Sequence, residues 1–166
     1  MNASAIHYRH DRRPGDDQLI VDLHRLGYAQ EGDRFGPLFC AYVGETVAEA
    51  QLERADSGRV WFAECAGETL GCAAMINRGH RGQLRWVVLL PEARGLGVGK
   101  KLVDLALDHA RLLGFTEVFL ETTDNLPASM ALYERLGFQT VHDEPADLWH
   151  GAGQLIVMTL PLGESR

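Results

Sequence analysis

Apolar residues at Leu19, Ile20, Leu23 and Leu26 follow helical spacing and stop at Gly27, which predicts an amphipathic helix capped by Asp16 or Asp17. Before it, residues 6–9 read as a short strand ending in the turn-rich Arg13-Pro14-Gly15-Asp16. A polar and aromatic segment, 28–36, leads to a second helix over 37–55, with Phe39, Tyr42, Val43, Val47, Ala50 and Leu52 at its apolar positions and Pro37 in its first turn. Two apolar runs, 60–65 and 70–76, flank Ala66-Gly67-Glu68-Thr69 and predict a β-hairpin, with Cys65 and Cys72 able to face each other across it. A loop rich in Gly, Arg and His (77–82) precedes a strand over 83–90. The next helix runs to Leu113, with Val98, Leu102, Leu105, Ala106, His109, Leu112 and Leu113 on one face and Lys101, Asp104, Asp108 and Arg111 on the other, and Gly114 stops it. Residues 116–122 read as a buried strand. A short helix follows Asp124-Asn125-Leu126-Pro127 and ends at Gly137. The last strands, 138–142 and 155–160, are joined by an irregular loop containing Trp149 and Gly153.

The order is strand, two helices, three strands, helix, strand, helix, two strands. Between the third apolar strand of the middle group and its following helix lies Arg94-Gly95-Leu96-Gly97-Val98-Gly99-Lys100. Glycine at alternate positions lets backbone N–H groups approach an anion, and the helix that follows aims its positive dipole end at the same place. Arg94 and Lys100 add countercharge. Two familiar phosphate loops fail on spacing. A P-loop ending at Gly99-Lys100 needs glycine where Arg94 stands and Ser or Thr where Lys101 stands, and the dinucleotide fingerprint counted from Gly95 meets Lys100 where its third glycine belongs.

What remains, Arg-x-x-Gly-x-Gly, resembles the pyrophosphate-binding motif of the GNAT superfamily, the acetyl-CoA-dependent N-acyltransferases. The element order and the segment Leu132-Tyr133-Glu134-Arg135-Leu136-Gly137-Phe138 extend that resemblance over nearly the whole chain, closest to the acetyltransferase half of bacterial proteins that also carry a MarR-like domain. The resemblance implies one domain over 1–166 with an α/β GNAT fold, a mixed, mostly antiparallel twisted sheet of about seven strands flanked by four helices. It implies acetyl-CoA as co-substrate, bound through Arg94, Gly95, Leu96, Gly97, Val98, Gly99 and Lys100. It also implies that the strand before Pro91 splays from its neighbour, so that N–H groups around Val87, Val88 and Leu89 meet pantetheine and the thioester oxygen, as in an oxyanion hole. Tyr133 matches the family's general acid, and a phenol with an ordinary pKa near 10 can protonate a departing thiolate; the other reading is a tyrosine packed on its helix with the hydroxyl at the surface. Ser129, one helical turn before Tyr133, and Asn125 match polar contacts to pantetheine, although Asn125 serves equally as a helix N-cap.

The general base is the least defined part. The chain has Gln83 where many members have glutamate. Glu121, at the end of the fifth strand, matches a position that some members use and is otherwise a solvated strand end; His80 and His142 are further candidates without positional support. Tyr28, Glu31, Asp33, Phe35, Phe39 and Tyr42 would line an acceptor site, and aromatic rings with carboxylates suit an amine.

Composition narrows the partners. A net charge of −7 opposes nucleic acid, and 46% hydrophobic residues without a membrane-length run place the chain among soluble cytoplasmic proteins. The partner expected is a small-molecule amine, with neither nucleic acid nor membrane, and a homodimer is allowed. Cys40, Cys65 and Cys72 lack metal spacing and the histidines form no ligand pair, so no metal is expected. Two functions fit: N-acetyl transfer to a small amine, and a non-catalytic acyl-CoA-binding or sensing module, the latter prompted by Gln83.

Overall fold

A computed structural model describes residues 5–163. The elements are β1 (His7–Arg9), α1 (Asp16–Gly27), α2 (Pro37–Ala50), β2 (Gly58–Cys65), β3 (Glu68–Arg78), β4 (Arg81–Leu89), α3 (Val98–Leu112), β5 (Glu117–Thr122), α4 (Pro127–Arg135), β6 (Gln139–Leu148) and β7 (Gly151–Pro161). They build a seven-stranded sheet ordered β1-β2-β3-β4-β5-β7-β6, antiparallel except where β4 meets β5. This is the GNAT arrangement that the element order predicts.

The central strands of the sheet are buried on both faces. Val60, Phe62, Cys72, Ala74 and Ile76 pack with Ile20, Leu23, Phe39, Val43 and Val47 of α1 and α2. The intervening positions Trp61, Ala63, Ala73 and Met75 pack with Val98, Leu102, Val103, Ala106, Leu107 and Ala110 of α3. Each of these larger aliphatic side chains contributes roughly 1.5–3 kcal/mol of burial free energy, so the two clusters clamp the sheet from opposite sides. At the β1 end, Arg9 is buried, donates to Asp16 at 3.0 Å and to Glu64 at 2.6 Å, and lies over the Phe62 ring, which ties β1 to α1 and β2.

Several local expectations change. Gly15, at φ 87°, rather than an aspartate, holds the N-cap of α1, because the Asp16 carboxylate is turned back onto Arg9 and the Arg13 N–H. The second helix stops at Ala50, where Gln51 turns left-handed at φ 49°. The Gly/Arg/His loop shrinks to a Gly79-His80 turn between two long strands. Leu112 and Leu113 are exposed, since the buried stripe of α3 runs through 98, 102, 103, 106, 107 and 110 and ends before them. The expected irregular loop around Trp149 is instead the tip of a continuous β6–β7 hairpin, pairing as far as Leu148↔Gly151. Its β6 strand is almost wholly exposed at the sheet edge, so it carries little of the apolar alternation by which a strand is read. Cys65 pairs with Glu68 and Cys72 with Phe62, so these two cysteines do not face each other.

Candidate active site

The site begins where the sheet opens. β4 and β5 pair only at Arg81↔Glu117, Gly82↔Val118 and Gln83↔Phe119, and then part. Just beyond, β4 bulges: Arg85 opposes Ala74 and Val88 opposes Cys72, leaving Trp86 and Val87 against Ala73 alone. Trp86 sits at φ 49°, a left-handed conformation that costs a side-chain-bearing residue roughly 1–2 kcal/mol. Its neighbours hold it there. Trp86 Nε1 donates to Thr46 Oγ1 at 3.0 Å, that hydroxyl donates to Val43 O at 2.7 Å, and the Cys72 thiol donates to Trp86 O at 3.1 Å.

The bulge has two consequences. It puts Leu84 in the α3 cluster and Trp86 in the α1/α2 cluster although they are two residues apart. It also resets the amides. Leu90 N donates to Leu70 O at 2.8 Å, so by antiparallel alternation Val88 faces β3, while the N–H groups of Val87 and Leu89 turn to the side that β5 has vacated.

Below this opening runs a groove whose lining includes Gly27, Tyr28, Val87, Leu89, Arg94 and Ser129. Gly27 lets the end of α1 lie against β4: a Cβ there would come within 2.5 Å of Val88 Cγ2 and 3.0 Å of Leu89 O. Arg94 Nη2 donates to Gly27 O at 2.9 Å, which fixes the guanidinium beside the groove, with Glu31 at 3.9 Å. Gly95 and Gly97 need glycine for their backbone, at φ 81° and 77°, and Gly97 is the N-cap of α3 without any side-chain cap. The first amides of α3 therefore have no partner inside the helix, and its dipole favours an anion there. Leu96 and Val98 send their side chains into the core. Lys100 is paired with Asp104 at 2.6 Å. An uncapped helix N-terminus, two left-handed glycines and a fixed arginine fit the pyrophosphate of acetyl-CoA, with the groove beneath suited to its pantetheine arm.

On the other side of the bulge lies a cleft of about 880 Å³, counting its open mouth, between the parted strands and α1/α2. Tyr28 and Val87 line both the cleft and the groove, so the two spaces meet there. Tyr133 is buried in the cleft wall, and burial, with Tyr28 nearby, raises its pKa above the ordinary phenol value. Burial pushes Tyr28 up to about 12, Glu31 adding to the effect, so both phenols keep their protons at neutral pH. A continuous set of rings forms the far wall: Tyr28–Phe35 at 4.9 Å, Phe35–Phe39 at 5.1 Å, Phe39–Trp149 at 4.9 Å and Tyr42–Trp149 at 5.2 Å. Arg34 closes the rim. It donates to Asp124 Oδ1 at 3.0 Å, its carbonyl accepts from Trp149 Nε1, and the pairing holds the Asp124 carboxyl below its usual range.

The structure gathers most of the expected residues but not all. Tyr133 and Glu121 line the cleft, Glu121 as an exposed rim residue; Ser129, Val87, Val88, Leu89, Arg94 and Gly99 line the groove. Asn125 lines neither, and it is not an N-cap: Leu126 takes that position while Asn125 adopts φ 65°. Of the expected acceptor residues, Tyr28, Phe35, Phe39 and Tyr42 are in the cleft wall, whereas Glu31 is in the groove and Asp33 in neither. Gln83 is buried in the cleft, and its amide oxygen accepts from Arg78 Nε at 3.0 Å.

Sequence reasoning passed over His24, Arg85, Trp86 and Trp149, all in the cleft wall. His24 is buried, bonds through Nδ1 to Ile20 O at 2.7 Å, and has its pKa lowered to about 4, by burial first and then by the Arg85 charge. The only signal for it was a histidine near the end of an amphipathic helix, which carries no chemistry by itself.

Sheet order, the β4 opening and the uncapped glycine turn together define a GNAT architecture. The family description Acetyltransferase (GNAT) family matches residues 20–138, and the chain belongs to that family. It is similar to an uncharacterized N-acetyltransferase of Escherichia coli K12, YjgM, at 34% identity over 108 residues, 59% of this chain and 65% of the relative. It is also similar to the IAA acetyltransferase of Azospirillum brasilense, at 30% identity over 123 residues, 73% of this chain and 74% of the relative. The first curated relatives are matched over less than two thirds of their length. Among solved structures, the ribosomal-protein-S18-alanine N-acetyltransferase of Escherichia coli has the same fold at TM-score 0.75 and 17% identity, covering 97% of this chain and 96% of that one. An acetyltransferase from Salmonella typhimurium, solved with its cofactor acetyl-CoA, superposes at TM-score 0.72 and 21% identity over 96% of this chain and 95% of that one.

Proposed function

We propose that this protein is an acetyl-CoA-dependent N-acetyltransferase that acetylates the amine of a small molecule by direct attack. The observation that carries the reading is the junction at Tyr28 and Val87, where a groove suited to an anionic, extended donor meets a separate aromatic cleft that has Tyr133 in its wall. A donor in one space and an acceptor in the other would meet beside a protonated phenol, and positioning of this kind lowers a bimolecular barrier strongly.

Acetyl-CoA, when bound, supplies an acyl carbon activated as a thioester. Around it, the Val87 and Leu89 amides offer fixed donors to a carbonyl oxygen on the vacated β5 side, where they carry no reorganisation cost during reaction. Glu121, on the rim, takes the first proton of the acceptor ammonium through water. The amine nitrogen bonds to the acyl carbon as the carbon–sulfur bond breaks. Tyr133 gives its proton to the leaving sulfur and regains one from the nitrogen, so one proton is released per turnover. A cytoplasmic location belongs to the same reading.

Release of free thiol from acetyl-CoA over a panel of polyamines, amino acids, aminoglycosides and peptide N-termini tests it. Gln83 favours one other reading, a non-catalytic acyl-CoA sensor, because its amide is engaged with Arg78 and cannot act as a base. Acetyl-CoA binding without turnover on any amine selects the sensor.

A further inference from the structure

The charges of the acceptor cleft are few and oppositely placed. β4 and β5 last pair at Gln83↔Phe119, and Arg85 and Glu121 each stand two residues further along their own strand. Strand alternation puts both on the α1/α2 face, one on either side of the opening. Arg85 is half-buried in the cleft wall, over the Trp86 ring at 5.5 Å. Among the described residues no carboxylate lies within 4.0 Å of it, and Glu121 likewise has no ion-pair partner. A half-buried guanidinium without a carboxylate partner has its donors open to the cleft, where a ligand anion can form a charge-assisted pair with it.

The other acidic groups nearby are committed: Asp124 to Arg34, and Glu31 to the groove beside Arg94. Among the described residues the charged side chains lining the cleft are thus one cation and one carboxylate, with His24 neutral beside the rings. A polycation would meet a single carboxylate and an opposing arginine. A zwitterion meets both charges with the right sign, and the ring wall of Phe35, Phe39 and Trp149 receives an apolar side chain.

We infer that the acceptor is an amino acid with an aromatic or large apolar side chain, its carboxylate held by Arg85, its amine facing Glu121 and its side chain set among Phe35, Phe39 and Trp149. This rests on the N-acetyltransferase reading for the word acceptor, but the carboxylate site stands on geometry alone. Arg85 is then a specificity residue that selects a carboxylate.

Three small probes test it: L-phenylalanine, phenethylamine, which lacks the carboxylate, and 3-phenylpropanoate, which lacks the amine. With wild type, L-phenylalanine should exceed phenethylamine in kcat/KM by at least about tenfold, in line with a charge-assisted pair. Arg85→Gln should bring that ratio towards one through KM, and Arg85→Lys should recover part of it. In calorimetry 3-phenylpropanoate should bind wild type and weaken at least about tenfold in Arg85→Gln, with acetyl-CoA affinity reporting that the variant is folded. Equal use of L-phenylalanine and phenethylamine, or equal binding of 3-phenylpropanoate by wild type and Arg85→Gln, overturns the inference. Arg85-dependent binding of 3-phenylpropanoate with no turnover of any amine would uphold the carboxylate site and sink the transferase reading.

Discussion

The groove and the cleft share Tyr28 and Val87 yet are built on different principles. The groove is made of backbone: helix-terminal amides, two glycines at positive φ, and strand amides released by a bulge. The cleft is made of side chains drawn from α1, the 33–35 turn, α2, β4, β5 and the β6–β7 tip. A backbone site tolerates change in most side chains and recognises one invariant ligand, whereas a side-chain site can be rewritten by a handful of substitutions. The difference teaches where a family keeps its common chemistry and where a member keeps its own.

The sharpest way to break that comparison is at the buried phenol of the cleft wall. Tyr133→Phe should lower kcat by about a hundredfold or more, the usual range for a general acid, with the acetyl-CoA KM changed less than about threefold. Because burial raises the Tyr133 pKa above its ordinary value, the wild-type pH profile should show no alkaline loss attributable to this phenol below pH about 10. Full turnover by the Phe variant would leave the groove and cleft as neighbours without a shared acid.

On the backbone side, Gly27→Ala forces a Cβ to within 2.5 Å of Val88 Cγ2 and 3.0 Å of the Leu89 carbonyl oxygen. The α1 terminus must move away from β4, carrying with it the Gly27 carbonyl that holds Arg94. The expected loss is about 1–3 kcal/mol of stability by urea unfolding, together with a raised acetyl-CoA KM. A variant as stable as wild type, with an unchanged KM, would mean that this close approach does not shape the groove.

The contrast also explains what the amino-acid pattern disclosed. Element order, both cores and the glycine turn were legible because each depends on local spacing: apolar residues at helical or alternate positions, and glycines where φ is positive. The pairing of Val88 with β3 rather than with a ligand was not, since it depends on a bulge at Trp86 that leaves no mark in the hydrophobic run Trp86–Val87–Val88–Leu89. The last strand pair was read only in part: β6 was expected over 138–142, and its exposed continuation to Leu148, with Trp149 beyond it, was missed for want of apolar alternation. Asn125, read as a cap or a ligand, turned out to be a left-handed turn residue, two roles that asparagine fills equally well. The cleft was legible only in part. Tyr28, Phe35, Phe39 and Tyr42 lie close in sequence, but Arg85, Glu121 and Trp149 join them only through the fold.

His24 separates the two regions by pH. Its pKa of about 4 in the folded protein lies below the unfolded value near 6.5, so the unfolded chain binds the proton first as pH falls. The stability this group contributes is therefore complete above about pH 6.5 and lost towards pH 4. Between pH 7 and pH 5 the wild type should lose about 2 kcal/mol from this source in urea unfolding, and His24→Phe should remove that slope. An unchanged slope in the variant would mean that the imidazole charges without unfolding the cleft wall.

The smallest effect tests the separation most directly. Trp149 stacks on Tyr42 and Phe39 and donates to the Arg34 carbonyl, but it has no place in the groove. Trp149→Ala removes one side of the ring wall and loosens the rim, so kcat/KM for a good acceptor should fall by about tenfold, largely in KM, in line with the loss of one aromatic contact. The acetyl-CoA KM should stay within about twofold, because the amides and glycines proposed to bind the donor lie across the bulge and do not depend on this side chain. If donor and acceptor constants shift together, the bulge at Trp86 transmits strain between the two spaces, and backbone site and side-chain site are one mechanical unit.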